Sequence, residues 1–563
     1  MQSVTLFDTT LRDGAQSLGV AFTVEDKIRL ASALADIGIS MIEGGFPGVI
    51  KTDTDYFKNL PDIGNAQHIA FGKTNSIGIS ASNDPTLAGV INSSASGVCL
   101  VGKSSMNHVN NAIGSTFEAN LQSLHDCMRV IKHKGKTALL DAEHFFDGYK
   151  EHPDKSVAFL KAAMEGGADW LVLCDTNGGT FHWEVEDIVE AIIKAGIPGE
   201  KLGIHTHNDS ELGVATSLSA VRKGVHMVQG TINGLGERTG NANLISIIPA
   251  LKRMGVDCGV SDEQLKGLKN LSNLLDDLLG RPYSVSAPYV GAAAFTHKAG
   301  IHASAVAKNP SLYEIMPPES VGNQRNIVMS DQAGMSNLKV LLEDMGIPFN
   351  KDDQQTKQLL TWVKDIQSEG WSFDQARASL ELAVQRALLD VDPYFAVEII
   401  EENSGFRPAR LDPLSNRFKR YARMPESVVK LVVGNERIKA IDEGVGPVDA
   451  IDSALRQALL PHYPELGNVT LSDYRTRVLD SRSATAAGTT VHIESTAIIG
   501  DQKHTWVTVG VSKNNTEAAT MALLDAYEWY LRKIGVTPQV PNMEMMQAIL
   551  FNGQGPVTGT QPH

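Results

Sequence analysis

Cysteine is scarce in this chain: four residues in 563, Cys99, Cys127, Cys174 and Cys258, with no CxxC pair among them. That spacing excludes a disulfide framework and a zinc-ribbon site, and predicts a reducing, cytoplasmic setting. No apolar run reaches the length of a membrane span, and Met1 to Asp8 carries neither a basic start nor an apolar signal core. Neither membrane insertion nor export is expected. Positive charge is also in deficit. Against 65 Asp and Glu stand 50 Lys and Arg, a formal net charge of −15, which argues against a protein that tracks nucleic-acid phosphates. Missing too is a GxGxxG run after the first strand-like segment, so a doubly wound dinucleotide-binding sheet is not indicated.

What remains is the composition of a compact protein, 42% hydrophobic and 20% charged. Its length exceeds what one hydrophobic core supports, so two or three domains are expected. From Val4 to Met254 short apolar or β-branched runs alternate with amphipathic stretches of helical length. Eight strands are predicted, at 4–7, 41–44, 68–71, 97–101, 136–140, 170–174, 202–206 and 227–231, each followed by a helix. Eight βα units in sequence predict a (β/α)8 TIM barrel, placed here at residues 1–275 as the catalytic domain.

Residues 276–424 read as a linker region. Within it, 292–310 is polar and His-bearing without a strand or helix period, as a lid would be, and 337–401 reads as helical. A repeat follows. A hairpin at 428–441 and a helix at 449–458 recur as a hairpin at 491–511 and a helix at 517–526, with Asp449 and Glu517 in equivalent places. The expectation is an α+β domain of two ββα pseudo-repeats at 425–540, suited to a regulatory ligand, with a disordered tail at 541–563.

Most predicted strands run into reactive groups: Arg12-Asp13, Glu43, Lys73, Lys103, Glu143, Asp175-Thr176, His205-Thr206-His207, and Asn233 to Asn241. In a TIM barrel these positions line one mouth. His205 and His207 stand two apart on a strand, so both imidazoles project to one face. With the carboxylate of Asp13 they make a divalent-cation site that leaves positions open for substrate. A bare HxH is more often a packing coincidence; its place at a barrel-strand end opposite Arg12-Asp13 favours ligation. Glu143 taken alone is a rim carboxylate, and Thr176 a helix cap. The Gly234 to Asn241 segment is either a flexible loop or a wall that approaches a ligand closely, with Asn241 as an oxygen donor to the metal. Lys73 and Lys103 read as a solvated rim.

Taken together, Asp8-Thr9-Thr10-Leu11-Arg12-Asp13-Gly14-Ala15-Gln16, Gly203-Ile204-His205-Thr206-His207-Asn208-Asp209, Gly230 to Asn243 and Ala294 to Ala303 resemble the signatures of the isopropylmalate, homocitrate and citramalate synthase family. Glu43 to Gly48, Ala142 to Lys150 and Leu173 to Gly179 look most like its longer citramalate branch. The resemblance implies condensation of acetyl-CoA with a 2-keto acid. In that branch the acceptor is pyruvate and the products are citramalate and CoA, on a route to isoleucine. It implies that Arg12 stabilises oxyanion charge, that Thr176 binds the keto-acid carboxylate, and that Glu143 positions the keto acid or shares in proton transfer. It further implies that His302, assisted by Tyr313, is the base and enters the barrel of a partner subunit in a homodimer. A divalent ion, Mg, Mn or Zn, is implied at Asp13, His205 and His207, and isoleucine as a feedback ligand of the C-terminal domain. The alternatives are 2-ketoisovalerate or 2-ketoglutarate as acceptor, a lyase on the same barrel, and a non-catalytic amino-acid sensor. The intact set of candidate site residues argues against the sensor.

Overall fold

The eight apolar runs before residue 231 become eight parallel strands in a computed structural model that describes residues 3–76, 78–330, 332–403, 425–479, 488–500 and 502–542. They are β1 Thr5–Asp8, β2 Met41–Gly45, β3 Gln67–Lys73, β4 Gly97–Lys103, β5 Thr137–Glu143, β6 Trp170–Asp175, β7 Leu202–Thr206 and β8 Met227–Gly230. Each pairs with the next and β8 returns to β1, closing a TIM barrel. The strands are apolar because both faces are covered. Outward residues such as Leu6, Ile42, Leu140 and Ile204 pack into one large cluster with the surrounding helices.

Inward residues form a separate cluster of Phe7, Met41, Ile69, Cys99, Leu139, Val172, Cys174 and Met227. Two residues further along β2, β5 and β8 the inward side turns polar, at Glu43, Asp141 and Gln229, and on β7 His205 is level with Gln229; all four are buried. The strand period of two carries that change from an apolar floor to a polar mouth.

Helix bounds follow local signals. Thr23 opens Val24–Ile37 with a capping box shared with Asp26, and Gly38 ends it at φ 97°. Two short helices, Met106–Asn111 and Phe145–Glu151, add to the eight expected ones. After the barrel the chain forms two helices, Asp262–Leu265 and Leu268–Leu278, separated at Lys266-Gly267.

The chain divides into two compact units: Met1–Thr296 with Glu314–Asn326, and His297–Tyr313 with Ile327–His563. In the second unit the 292–310 segment contains a helix, Gly300–Lys308, where no period was legible. Only Ala303 and Val306 are buried there, too narrow a stripe to show a pattern. Helices Met335–Asp344, Gln354–Ser368 and Arg377–Leu388 share a core that includes Leu342, Val363 and Leu380. The helical reading ends earlier than expected, because Ala396–Asn403 is a strand.

That strand pairs antiparallel with Glu426–Val433, which pairs with Glu436–Glu443 and is followed by helix Pro447–Leu459. The second repeat has strands Thr470–Val478, Thr489–Ile499 and Gln502–Ser512, then helix Asn515–Lys533. Each repeat thus has the expected hairpin and helix, preceded by an additional edge strand. The stretch beyond Asn542, expected to be disordered, lies outside the described residues. Among the described residues no helix is long and apolar enough to cross a membrane.

Candidate active site

The first reactive groups follow β1 through a locked turn. Asp8 accepts from Thr10 N at 2.9 Å and from Thr10 Oγ1 at 2.7 Å, and Thr10 Oγ1 accepts from Ile232 N at 2.9 Å. The Arg12, Asp13 and Gly14 amides all donate to Thr9 O. Arg12 is thereby aimed at β2 and β3: its Nε donates to Glu43 Oε2 at 2.7 Å, and its guanidinium lies 4.0 Å from the centre of the Phe71 ring. Burial works against the Arg12 charge, but Glu43, Asp13 and Asp141 outweigh it and hold the guanidinium above its usual range. Glu43 moves upward, by burial and the neighbouring Asp141, against the pull of Arg12.

Asp13, His205 and His207 converge. Asp13 Oδ2 lies 3.2 Å from His205 Nε2, which lies 3.4 Å from His207 Nε2, and all three side chains are buried. Burial pushes the Asp13 carboxyl up, but Arg12 and His205 more than reverse this and leave it well below the carboxylate range. Burial similarly opposes protonation of His205, and Asp13 overrides it to raise the imidazole. His207 is pushed down to about 4 by burial and by His205 beside it. Asn241 Nδ2 donates to Asp13 Oδ2 at 2.7 Å and lies 3.2 Å from His205 Nε2, while its own Oδ1 is buried without a partner. Two imidazoles and a carboxylate within 4.8 Å of one another, beside an orphaned carboxamide oxygen, fit a divalent cation.

On the facing strands Glu143 is ion-paired with Lys103, which is therefore a partner of the site rather than free rim charge. Thr176 Oγ1 accepts from His144 N at 2.8 Å, leaving its own O–H free to donate. Arg238 holds the same corner, donating to Thr176 O at 2.7 Å and to both carboxylate oxygens of Asp209. His144, Glu211, Asn233 and Arg238, all in loops after barrel strands, are non-glycine residues with φ between 56° and 58°. Such strain persists where surrounding contacts over-determine the backbone. The loop 234–241 closes on itself: Asn241 N donates to Gly234 O, and a Cβ on Gly240 would stand 2.0 Å from that oxygen.

Arg12, Asp13, Glu143, Thr176, His205 and His207 line one cavity of about 210 Å³, together with Phe71, Val101, Asp141 and Cys174. Asn241 stands behind Asp13 and His205. His302 and Tyr313 belong to the second unit, both exposed, with ring centroids 4.4 Å apart. Two polar residues of the site were not singled out as candidates in the sequence, Asp141 and Gln229, whereas Glu43, read there as a reactive group at a strand end, is the ion-pair partner of Arg12. Counting back two from Glu143 reaches Asp141, and the strand period through Met227 reaches Gln229.

The sequence matches three family models in the same order as this architecture: HMGL-like at residues 3–272, homocitrate synthase post-HMGL domain-like at 289–370, and the LeuA allosteric (dimerisation) domain at 409–531. An (R)-citramalate synthase of Aquifex aeolicus is 42% identical over 535 residues, covering 94% of this chain and 98% of that protein. One from Geobacter sulfurreducens is 42% identical over 539 residues, covering 95% and 98%. The chain belongs to the citramalate synthase family. A 2-isopropylmalate synthase of Sulfolobus acidocaldarius is 33% identical over 380 residues, 67% of this chain and 94% of that protein. The family resemblance read from the motifs is thus borne out, including the preference for the citramalate branch.

Proposed function

We propose that this chain is a transferase that condenses acetyl-CoA with pyruvate and water to give citramalate and CoA. The observation that carries the reading is one cavity bringing Arg12, Glu143 and Thr176 onto the Asp13, His205 and His207 cluster, in a member of the citramalate synthase family. At about 210 Å³ it lies below the roughly 300–1,000 Å³ of larger ligand sites and suits a small keto acid.

Asp13, His205 and His207 would hold a divalent ion, Mg, Mn or Zn, with Asn241, whose Oδ1 is unpartnered, as a further oxygen donor. When bound, that ion supplies Lewis-acid polarisation of the keto group. The free hydroxyl of Thr176 donates to the keto-acid carboxylate. Arg12, fixed by Glu43 and Phe71, neutralises negative charge developing on the keto oxygen. Glu143 positions the keto acid or shares in proton transfer. His302, assisted by Tyr313 and supplied by the partner of a homodimer, takes a proton from the acetyl methyl group. The resulting enolate carbon bonds to the keto carbon, whose oxygen ends as a hydroxyl. Water then cleaves the thioester, releasing a carboxylate and the CoA thiol.

The repeat domain serves feedback, with isoleucine as its ligand. In support, a cavity of about 590 Å³ there is lined from both repeats: Gly446, Pro447 and Asp449 at the start of one helix, Asn515 and Thr516 at the start of the other, and Asp452 and Tyr474. Two helix starts suit a carboxylate and two aspartates suit an ammonium group. Thiol release measured over a panel of keto acids tests the central reading: pyruvate should be the fastest acceptor, and faster turnover of 2-ketoisovalerate or 2-ketoglutarate would refute it.

A further inference from the structure

We propose that Asp141 and Gln229 form a directional hydrogen-bond relay that fixes His205 with a proton on Nδ1, so that Nε2, beside Asp13 and His207, is the nitrogen left to serve the cation. This rests on reading those three residues as cation ligands. Gln229 is fully buried and does not line the cavity, so its amide cannot turn to water for a partner, and Asp141 is 4% exposed at the cavity wall. Gln229 Nε2 donates to Asp141 Oδ1 at 2.8 Å, and Gln229 Oε1 lies 2.7 Å from His205 Nδ1. The three residues come from β5, β8 and β7, and His205 is the register partner of Gln229.

Direction follows from chemistry. A carboxylate offers only acceptors, so the Gln229 carboxamide must turn its NH2 to Asp141 and its oxygen to His205. An oxygen facing Nδ1 requires a proton there. With Nδ1–H held by Gln229, Nε2, the atom that meets Asp13 Oδ2 and His207 Nε2, is the nitrogen whose proton a cation would displace. His207 has no such support, since its Nδ1 is buried without a partner. Gln229 and Asp141 are therefore positioning residues, acting on the ion through His205.

The test is Mn2+ titration of the full-length protein, with free Mn2+ read by electron paramagnetic resonance. The parent should bind Mn2+, and Asp13→Asn and His207→Ala should each abolish binding. Gln229→Met keeps the shape of the side chain and removes both hydrogen bonds; it should weaken binding by about 10–100-fold. Asp141→Asn keeps shape and hydrogen-bonding capacity but no longer dictates direction, because an amide accepts as well as donates. It should weaken binding by roughly threefold or more, with the far-ultraviolet circular dichroism of the parent. Binding within about twofold of the parent in either variant overturns the relay, leaving a packing role only. Absence of Mn2+ binding in the parent, or its survival in Asp13→Asn, overturns the cation-site reading instead.

Discussion

Replacing Lys27 by Met should loosen the corner of the barrel that carries Arg12 and Glu43, although Lys27 touches neither side chain. Its ammonium donates to Leu11 O at 2.8 Å, to Gly44 O at 2.9 Å and to Asp53 Oδ1 at 2.5 Å, and Asp53 Oδ2 accepts from Phe46 N at 2.7 Å. Lys27 and Asp53 are 3% and 6% exposed at their side chains. One buried cation thus ties the residue before Arg12 to the residue after Glu43. Lys27→Met strands a buried carboxylate and two carbonyls, a loss of about 3–5 kcal/mol. Adding Asp53→Asn removes the stranded charge and keeps an acceptor for Phe46 N. About 1–2 kcal/mol should return, and the two carbonyls remain unpaired. Hydrogen exchange of peptides spanning β1 and β2 with the loops after them reads this local opening energy, without requiring the whole chain to unfold in one step. Displacement of Arg12 should also lower kcat by up to about 100-fold. Unchanged exchange in Lys27→Met, or a double variant no better protected than the single, would refute the clamp.

Thr176→Val keeps the shape and removes the hydroxyl, so KM for the keto acid should rise about tenfold, with Thr176→Ser restoring it in steady-state assays. Asp8 is pushed up to about 7 by burial, against its hydrogen bonds from Thr10. A folded value above the unfolded one means stability complete below about pH 4 and lost as pH rises through about 7, roughly 4 kcal/mol in all. Asp8→Asn should therefore gain on the parent in thermal melts at pH 8 relative to pH 5; a gap that does not change with pH would count against the buried neutral carboxyl. Deleting 425–540 should abolish inhibition by isoleucine, and inhibition that persists would remove the regulatory reading.

The barrel is legible because strands covered on both faces leave uninterrupted apolar runs, each ended by a polar group at the mouth. His205 and His207 stand out for the same reason, two imidazoles in step with a strand period. Asp141 and Gln229 do not, because each sits inside such a run and its partner arrives from 88 residues away. Strands Ala396–Asn403 and Thr470–Val478 escape notice as sheet edges: the first carries Glu398, Glu401 and Glu402, and the second is exposed at all but one position. The helix bearing His302 buries too few residues to print a stripe.

The packing around the barrel and the orientation of its site are one choice rather than two. On β7, Ile204 faces the helices, fully buried in the outer cluster, while His205 on its other side faces the mouth. Neighbours hold that register: Leu173 opposes Ile204 and Val228 opposes Ile204, while Cys174 and Gln229 oppose His205. A slip of one residue would drive both imidazoles into the apolar layer beneath the helices and expose Ile204 to the polar mouth. Burying two unpartnered imidazoles there is unfavourable, and so is losing the burial of an isoleucine, about 1.5–3 kcal/mol. The hydrophobic contacts of Ile204, Leu173 and Val228 therefore aim His205 and His207 at Asp13, although none of the three lines the cavity.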